Sequence, residues 1–309
     1  MIDDALWAVR WQNVGMVVDL NAAVSFMATH ARLLERRRLQ YLLGEGAADD
    51  VLAALDAYRN PDGGYGWGLE PDLRSVTSQP VAAMHALEVL AEVRDTKSQR
   101  APQLCDWLAE HTLGDGGVPF ALPYSDTAGS APHWTGADAA VSSLMMTAQL
   151  AAQAQRIARH RADVAGHPWL ATATSYCLDA IERIVDAPPA MELMFVMRFL
   201  DAVAEHAPRA RPLVDRLADH VNSDGPTPVV GGAADEVLHL VDFTPHPDAH
   251  SRASFTEDVI AADLERLAGQ QQSDGGWTIT FRPYCPAAAL EWRGYATVQA
   301  IAVLRGTAL

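Results

Sequence analysis

The sequence predicts an all-α protein, and more specifically an (α/α)6 toroid of helical hairpins that repeat about every fifty residues. The stretch from Leu52 to Leu150 is rich in Ala, Leu and Met and poor in β-branched residues, which favours helices over strands. Turns that contain Asp-Gly recur at nearly even spacing, and no alternation of period two is long enough to indicate a sheet. We therefore expect a single toroidal domain over residues 1–309.

Four turn sequences mark the repeat, at residues 60–64, 114–117, 222–225 and 273–276. Their aspartates, at positions 62, 115, 224 and 274, are separated by 53, 109 and 50 residues. Because the middle separation is two periods, one copy is expected to have lost its Asp-Gly. Residues 166–169 (Gly-His-Pro-Trp) fit that copy as a turn before a helix. Six units of about 52 residues account for the length, which indicates six hairpins.

Between the turns, apolar residues recur at the spacing of amphipathic helices. Such faces include Ala82, Leu87 and Leu90; Leu104, Trp107 and Leu108; Leu144, Leu150 and Ile157; and Met194, Met197 and Leu200. Pro80 indicates the first turn of a helix, where its missing N–H costs nothing. Glu257 and Asp258, which follow Thr256, indicate another helix start, because the helix dipole favours carboxylates there.

Charge and cysteine content exclude several classes of function. A net charge of −16 argues against a nucleic-acid partner, because such binding depends on clustered Lys and Arg. We interpret the one tight basic cluster, residues 36–38, as a solvated helix face. Cys105, Cys177 and Cys285 are far apart and match neither a disulfide framework nor a cysteine-rich zinc site.

The distribution of apolar residues bears on location. No apolar stretch approaches eighteen residues, and the N-terminus lacks a basic region followed by an apolar run. We therefore expect a cytoplasmic protein with no integral membrane segment. No cofactor is expected, and the oligomeric state is left open.

The last turn carries a more specific motif. Gln271, Gly275 and Trp277 match the Q-x-x-x-G-x-W signature of the squalene–hopene cyclases, and Gly63 and Tyr65 match it more weakly in the first turn. The chain therefore resembles the terpene cyclase and protein prenyltransferase superfamily, in particular the short bacterial prenyltransferase/squalene-oxidase-repeat proteins. We expect structural roles for this motif. The glycine permits a tight turn, Gln271 hydrogen-bonds helix ends, and Trp277 covers the next hairpin.

In toroids of this kind the inner helices line a cavity, and the segments that lead into them form its mouth. Here those segments are long and combine aromatic rings with carboxylates and arginines, and loops between rigid elements commonly carry function. The candidate substrate-binding residues are Trp67, Arg74, His133, Trp134, Phe195, Tyr284, Trp292 and Arg293. The candidate catalytic carboxylates are Glu70, Asp72, Asp138, Glu192 and Glu291.

The resemblance implies alkene protonation as a reaction. Class II terpene cyclases use a strong, water-shielded acid from a D-x-D-D motif and surround the resulting carbocation with aromatic faces. This sequence has no D-x-D-D, and its nearest substitute is Glu70 and Asp72, separated by one proline. A proton shared between these two carboxyl groups would raise the pKa of one of them and create the acid. The alternative is an ion pair between Asp72 and Arg74 that caps the following helix.

The other carboxylates each have a functional and a structural interpretation. Glu192 is a lone carboxylate in an apolar helix, where burial is costly unless the group is paired or protonated; alternatively it is exposed. Glu291 precedes Trp292 at the start of the last inner helix, where it either contacts a ligand or pairs with an arginine. Asp138 follows the aromatic residues of the second mouth segment.

Metal chemistry is not predicted. Protein prenyltransferases hold zinc through Asp, Cys and His, but Pro283 stands two residues before Cys285 and no histidine follows it. Another set, Asp242 with His246 and His250, lies in a segment that prolines make irregular.

Three functions are compatible with the sequence. The leading hypothesis is a terpene-cyclase-like enzyme that acts on a small apolar isoprenoid by protonation from the Glu70 and Asp72 pair. A carbohydrate-active hydrolase or lyase on the same toroid would use paired carboxylates in a wet, polar cleft. A non-catalytic binding or scaffold protein would have a filled cavity, or one without a buried carboxylate. A deep aromatic pocket would favour the first hypothesis.

Overall fold

Helices form most of the computed structural model, which describes residues 18–232 and 235–306. The α-helices of this part are α1 (Leu20–His30), α2 (Leu33–Leu43), α3 (Ala48–Leu55), α4 (Pro80–Glu92), α5 (Arg100–Glu110), α6 (Pro132–Thr135), α7 (Leu144–Ala158), α8 (Ala162–Ala165), α9 (Pro168–Glu182), α10 (Ala190–Val203), α11 (Ala210–Ala218), α12 (Leu240–Phe243), α13 (Glu257–Ala268) and α14 (Pro286–Leu304). Short 3-10 helices cover Asp56–Tyr58 and His250–Ser254. Strands β1 (Thr227–Pro228) and β2 (Val237–Leu238) form one small antiparallel pair.

Six helices form an inner ring, and six others surround it. The inner helices are α2, α4, α7, α10, α12 and α14, and each packs against the outer helix that follows it. The outer partners are α3, α5, α9, α11 and α13, while α14 packs against α1 and so closes the ring. All residues of α4 are buried, as expected for a helix with neighbours on every side. The structure therefore confirms the predicted all-α (α/α)6 toroid.

The helix starts follow the local sequence. Pro80 occupies the first turn of α4, as predicted, and Pro168 and Pro286 do the same in α9 and α14. Thr256 caps α13 by accepting the N–H of Val259 at 3.4 Å, with two carboxylates in the first turn.

Three of the four Asp-Gly turns share one geometry. The carboxylates of Asp62, Asp115 and Asp274 each accept the backbone N–H two residues on, at 2.9–3.1 Å. The glycine between donor and acceptor has a φ of +90 to +94° in all three turns, a backbone conformation that favours glycine. Each turn lies where the chain passes from an outer helix to the next inner helix. These connections therefore lead to the same end of the toroid.

The predicted position of the lost turn is wrong. Residues 166–169 do form a turn before a helix, but they connect inner helix α7, through α8, to outer helix α9. The outer-to-inner connection of that hairpin is the short segment of residues 183–189. The turn at Asp224 also differs, because there the backbone N–H of Asp224 donates to Asn222 at 3.2 Å.

Gln271 and Trp277 lie where the ring closes. Gln271 accepts the backbone N–H of Asp19 at 2.9 Å and donates to its carbonyl oxygen at 2.8 Å, at the start of α1. Trp277 is 1% exposed and donates its indole N–H to the carbonyl of Leu267 at 2.8 Å. The contacts of Gln271 join the end of the chain to α1, whereas the hydrogen bond of Trp277 stays within the last turn.

The basic cluster of residues 36–38 is not the solvated face that we expected. Arg38 is 2% exposed and inserts between inner helices. Its Nη2 lies 2.6 Å from Oε1 of Glu88, and its Nε lies 2.8 Å from Oε2 of Glu92. These ion pairs attach α2 to α4. Within residues 18–232 and 235–306, no helix is long and apolar enough to cross a lipid bilayer.

Candidate active site

A central cavity of about 510 Å³ lies inside the inner ring, within the range of small-molecule sites. Helices α4, α7, α10, α12 and α14 supply its walls, and the outer-to-inner connections supply its mouth. Most lining side chains are aromatic or aliphatic. They include Val81, Met84, Phe120, Trp134, Met145, Met191, Met194, Phe195, Phe281 and Trp292.

Asp72 is the mouth carboxylate that reaches this cavity. Hydrogen bonds to the α5–α7 connection fix its backbone, since the N–H of Ala131 donates to the carbonyl of Asp72 at 2.8 Å. Its side-chain Oδ1 accepts the backbone N–H of Tyr284 at 2.8 Å, and Oδ2 accepts the indole N–H of Trp292 at 2.9 Å. The residue is 7% exposed, and burial raises the pKa of its carboxyl group, although these two donors oppose the shift.

Glu70 also lines the cavity, and its two carboxylate oxygens bind groups other than the carboxyl group of Asp72. Its Oε1 accepts the backbone N–H of Asp72 at 3.0 Å, and its Oε2 lies 2.9 Å from Nε2 of His85. No hydrogen bond joins the two carboxyl groups among the described residues. Burial is the main cause of the raised pKa of Asp72, and the negative charge of Glu70 adds to it, so the shared proton stays a prediction. The alternative ion pair between Asp72 and Arg74 is wrong, because Arg74 lies 2.6 Å from Glu291.

A buried polar network extends from Glu70 toward α2. His85 pairs with Glu70, and its Nδ1 lies 3.9 Å from Glu88. Glu88 accepts the hydroxyl of Tyr295 at 2.8 Å and also binds Gln299 and Arg38. Burial alone would raise the pKa of Glu88, but the guanidinium of Arg38 and the imidazole of His85 lower it below its ordinary value.

Sequence reasoning missed this network. Its signal is present in α4, where His85, Glu88 and Glu92 recur at three- and four-residue spacing in an otherwise apolar helix. Their spacing places them on one helix face, and a polar stripe within a wholly buried helix requires a partner. Arg38 is that partner.

Several aromatic rings line the cavity that the carboxyl group of Asp72 reaches. The ring of Trp292 meets Phe281 edge-on, with centroids 5.1 Å apart, and Tyr295 edge-on at 5.5 Å. On the α5–α7 connection, the rings of Phe120 and Trp134 stack with centroids 4.6 Å apart. The cavity therefore combines a buried acid with several π-faces.

Of the eight predicted substrate-binding residues, His133, Trp134, Phe195 and Trp292 line the cavity. The others do not. Trp67 is 57% exposed and donates its indole N–H to Asn60 at 2.8 Å. Arg293 forms two hydrogen bonds, at 2.7 and 2.8 Å, with the turn residue Asp274. Arg74 pairs with Glu291, and Tyr284 contributes only its backbone N–H to the carboxyl group.

The remaining predicted catalytic carboxylates also lie away from the cavity wall. Asp138 is exposed and accepts the backbone N–H of Ala140 at 2.9 Å, which is a turn contact. Glu291 forms an ion pair with Arg74, which is the structural interpretation considered for it above. Glu192 is half-buried on α10, and burial raises its pKa.

No three His, Cys, Asp or Glu side chains of the described residues are arranged to hold a metal ion. Cys285 is the N-cap of α14, where its Sγ accepts the N–H of Ala288 at 3.5 Å. His250 lies 3.5 Å from Asp215 on the outer layer.

Comparison with known proteins agrees with this architecture: the chain has the fold of the type II terpene cyclases. A variant of the type II terpene cyclase MstE from Scytonema, in complex with its substrate geranylgeranyl dihydroxybenzoate, is 14% identical. The match covers 96% of this chain and 89% of that one, with a TM-score of 0.52.

Two further solved structures are similar. A second MstE variant with the same substrate is 14% identical over 95% of this chain and 88% of that one, with a TM-score of 0.49. A protein from Actinoplanes is 15% identical over 92% and 87%, with a TM-score of 0.46. No protein-family model and no curated protein matches the sequence. At these identities the likeness concerns the fold.

Proposed function

We propose that the chain is a terpene-cyclase-like enzyme in which Asp72 protonates an alkene of an apolar isoprenoid. The observation that carries this proposal is the setting of Asp72, a buried carboxyl group in an aromatic cavity with a donor on each oxygen. Burial favours its protonated form, which is the form that the reaction needs.

The two donors orient the acid without consuming its proton. Each carboxyl oxygen has two lone pairs, and Tyr284 and Trp292 use one on each oxygen. A proton can therefore reside on Asp72 and point into the cavity. Glu70 supports this geometry, because its Oε1 holds the backbone N–H of Asp72 and its Oε2 is fixed by His85.

The reaction begins with transfer of that proton to one carbon of a C=C bond. The π electrons form the new C–H bond, and the other carbon becomes a cation. Attack by a second C=C bond of the same chain closes a ring, and loss of a proton from the last cation leaves a neutral isomer of the substrate. The cavity must exclude water, because water would add to the cation.

The rings around Asp72 suit a developing carbocation. A cation over an aromatic face is stabilised by about 0.5–2 kcal/mol, and more when water is excluded. Trp292 meets Phe281 and Tyr295 edge-on, so the faces of these cavity-lining rings point in different directions. A flexible chain that folds in the cavity therefore meets a π-face at several stages.

This lining favours an isoprenoid over a glycan. The side chains that line the cavity are mostly aromatic or aliphatic, whereas a glycoside hydrolase would place its paired carboxylates in a wet, polar cleft. An open cavity with a buried carboxylate also argues against a purely structural role. The substrate in the MstE complex, geranylgeranyl dihydroxybenzoate, belongs to the same isoprenoid class.

Turnover of prenyl compounds tests the proposal. The purified chain is incubated with prenyl alcohols, prenyl diphosphates and prenylated aromatic acids, and the products are separated by chromatography and mass spectrometry. We expect cyclised isomers from at least one, and Asp72→Asn should lower the rate by about 10²–10⁴-fold because the general acid is lost. Asp186→Asn, which changes an exposed carboxylate between α9 and α10, should not. Full turnover by Asp72→Asn would contradict the assignment.

A further inference from the structure

A smaller chamber adjoins the central cavity at the C-terminal ends of the inner helices. This chamber has a volume of about 190 Å³ and shares lining residues with the central cavity, including Arg198, Tyr295 and Gln299. We call it the arginine chamber, because its wall contains Arg156, Arg159, Arg198 and Arg211. It lies at the end of the toroid opposite to the mouth that holds Asp72.

Arg156 and Arg198 are half-buried in this wall, whereas Arg159 and Arg211 are exposed. Arg156 donates from Nη1 to the side-chain oxygen of Gln153 at 2.9 Å, and Arg198 donates from Nε to the backbone carbonyl of Asp242 at 2.8 Å. In the part of the chain that the structure describes, neither forms an ion pair. Arg38 differs, since it binds two carboxylates.

The carboxylates of the chamber already have other partners or lie at its rim. Glu88 binds Arg38 and the hydroxyl of Tyr295. Asp201 accepts the backbone N–H and the hydroxyl of Ser251 at 2.9 and 2.6 Å. Glu205 and Asp248 are exposed. The chamber wall therefore offers donors that these acids do not satisfy.

The positive charge of Arg156 is only partly compensated. Burial lowers the pKa of Arg156 to about 10; the carboxylates of Glu88 and Glu92 oppose this shift, and Arg159 and Arg198 add to it. Arg156 is still charged near neutral pH. The helix dipole at the end of α7 favours a cation there, but it supplies no acceptor for the free N–H groups.

We propose that the arginine chamber binds an anionic group of the substrate, a phosphate, diphosphate or carboxylate, while the isoprenoid chain extends through the central cavity to Asp72. This inference rests on the proposed function. The planar donor fork of arginine matches the oxygens of such groups, and charge-assisted hydrogen bonds of this kind are among the strongest in proteins.

The geometry gives the substrate one orientation. Trp292, which holds Asp72, and Val303, in the chamber wall, are about 16 Å apart along α14, because an α-helix rises about 1.5 Å per residue. An anion at the arginines therefore places the distal part of the chain near the acid. It also keeps the negative charge of the substrate away from Asp72. A negative charge close to this carboxyl group would raise its pKa and so hinder transfer of its proton to the alkene.

Equilibrium binding tests the inference without turnover. In an Asp72→Asn background, titration calorimetry compares a prenyl diphosphate, the prenyl carboxylate and the prenyl alcohol of the same chain length, with inorganic pyrophosphate as a fourth probe. We expect at least one charged prenyl ligand to bind about tenfold or more tightly than the alcohol. Arg156→Gln and Arg198→Gln should remove this advantage and leave the affinity for the alcohol unchanged, which also shows that the variants are folded. Arg183→Gln, at an exposed position after α9, is the matched control.

The outcomes separate the two proposals. The anion site is overturned if charged and uncharged ligands bind with equal affinity. It is also overturned if both arginine substitutions leave the affinity for the charged ligands unchanged. If those equal affinities accompany turnover that depends on Asp72, the proposed function stands alone. Arginine-dependent binding without any cyclised product keeps the anion site and contradicts the proposed function. Pyrophosphate binding to which the prenyl chain adds nothing overturns the proposed orientation.

Discussion

Removal of Arg38 should show how the inner ring is held together. The guanidinium is 2% exposed and satisfies two carboxylates on α4, Glu88 at 2.6 Å and Glu92 at 2.8 Å. Arg38→Met keeps an unbranched apolar stem but leaves both acids buried without their cation. Breaking a buried pair in this way costs about 3–5 kcal/mol, most of it the penalty of the unpaired charge.

The pH dependence of this loss has a definite sign. In the wild type, burial alone would raise the pKa of Glu88, but Arg38 lowers it below its unfolded value. The stability that this pair contributes is therefore present above the unfolded pKa and is lost as pH falls through the folded pKa. Without Arg38, burial raises the pKa of Glu88, so the folded variant takes up a proton more readily than the unfolded chain. The difference between the two proteins should shrink as pH falls.

Urea denaturation followed by circular dichroism measures both effects. We expect Arg38→Met to lower the free energy of unfolding by about 3–5 kcal/mol near pH 8 and by less near about pH 5. Arg183→Met, at an exposed arginine, should change it by no more than about 0.5 kcal/mol. A loss under about 1 kcal/mol, or a loss equal at both pH values, would refute the account of this network.

Two further substitutions test separate parts of the structure. Trp292→Phe keeps a ring but removes the indole N–H that stabilises ionised Asp72, so the pKa of Asp72 should rise further. The alkaline fall of the pH–rate profile should therefore move to higher pH. A profile that does not move would argue against Asp72 as the acid. Gly275→Ala places a Cβ against the backbone of Ala22 at a φ of +94°, and should destabilise the chain in urea by more than about 1 kcal/mol. Gly44→Ala, at a φ of +80° with open space around it, should lower the free energy of unfolding by less. Equal losses for the two variants would show that the backbone of Ala22 does not pack closely against Gly275.

The fold was predictable because its turns are local. The carboxylates of Asp62, Asp115 and Asp274 each accept the backbone N–H two residues on and so form the same type of turn. The repeat is therefore visible in the sequence wherever this Asp-Gly turn is present. The lost copy could not be placed correctly. Spacing alone does not distinguish an inner-to-outer connection, such as residues 166–169, from an outer-to-inner one.

The site was predictable only in part. The mouth segments pointed to Asp72 and Trp292, because these segments combine aromatic residues with carboxylates and arginines. Trp67 follows the same pattern, yet its indole binds Asn60 at the surface. Local sequence cannot show which side of a connection faces the cavity.

Charged residues on the inner helices were harder to interpret. Arg38, Arg156 and Arg198 lie far from the mouth segments in sequence, and a charge in a helix is usually exposed. Only the packing of α2, α4, α7 and α10 shows that Arg38 is neutralised whereas Arg156 and Arg198 are not. Long-range partners of this kind are properties of the assembled ring.

Solvent deuterium in the product tests the central claim most directly. The carboxyl proton of Asp72 exchanges with solvent between turnovers, so a prenyl substrate converted in D₂O should acquire one deuterium in a C–D bond that survives work-up in ordinary water. The mass spectrum of the wild-type product should show this single addition at the carbon that the acid protonates. A cyclised product without carbon-bound deuterium would mean that the reaction does not begin with alkene protonation, and would contradict the role assigned to Asp72.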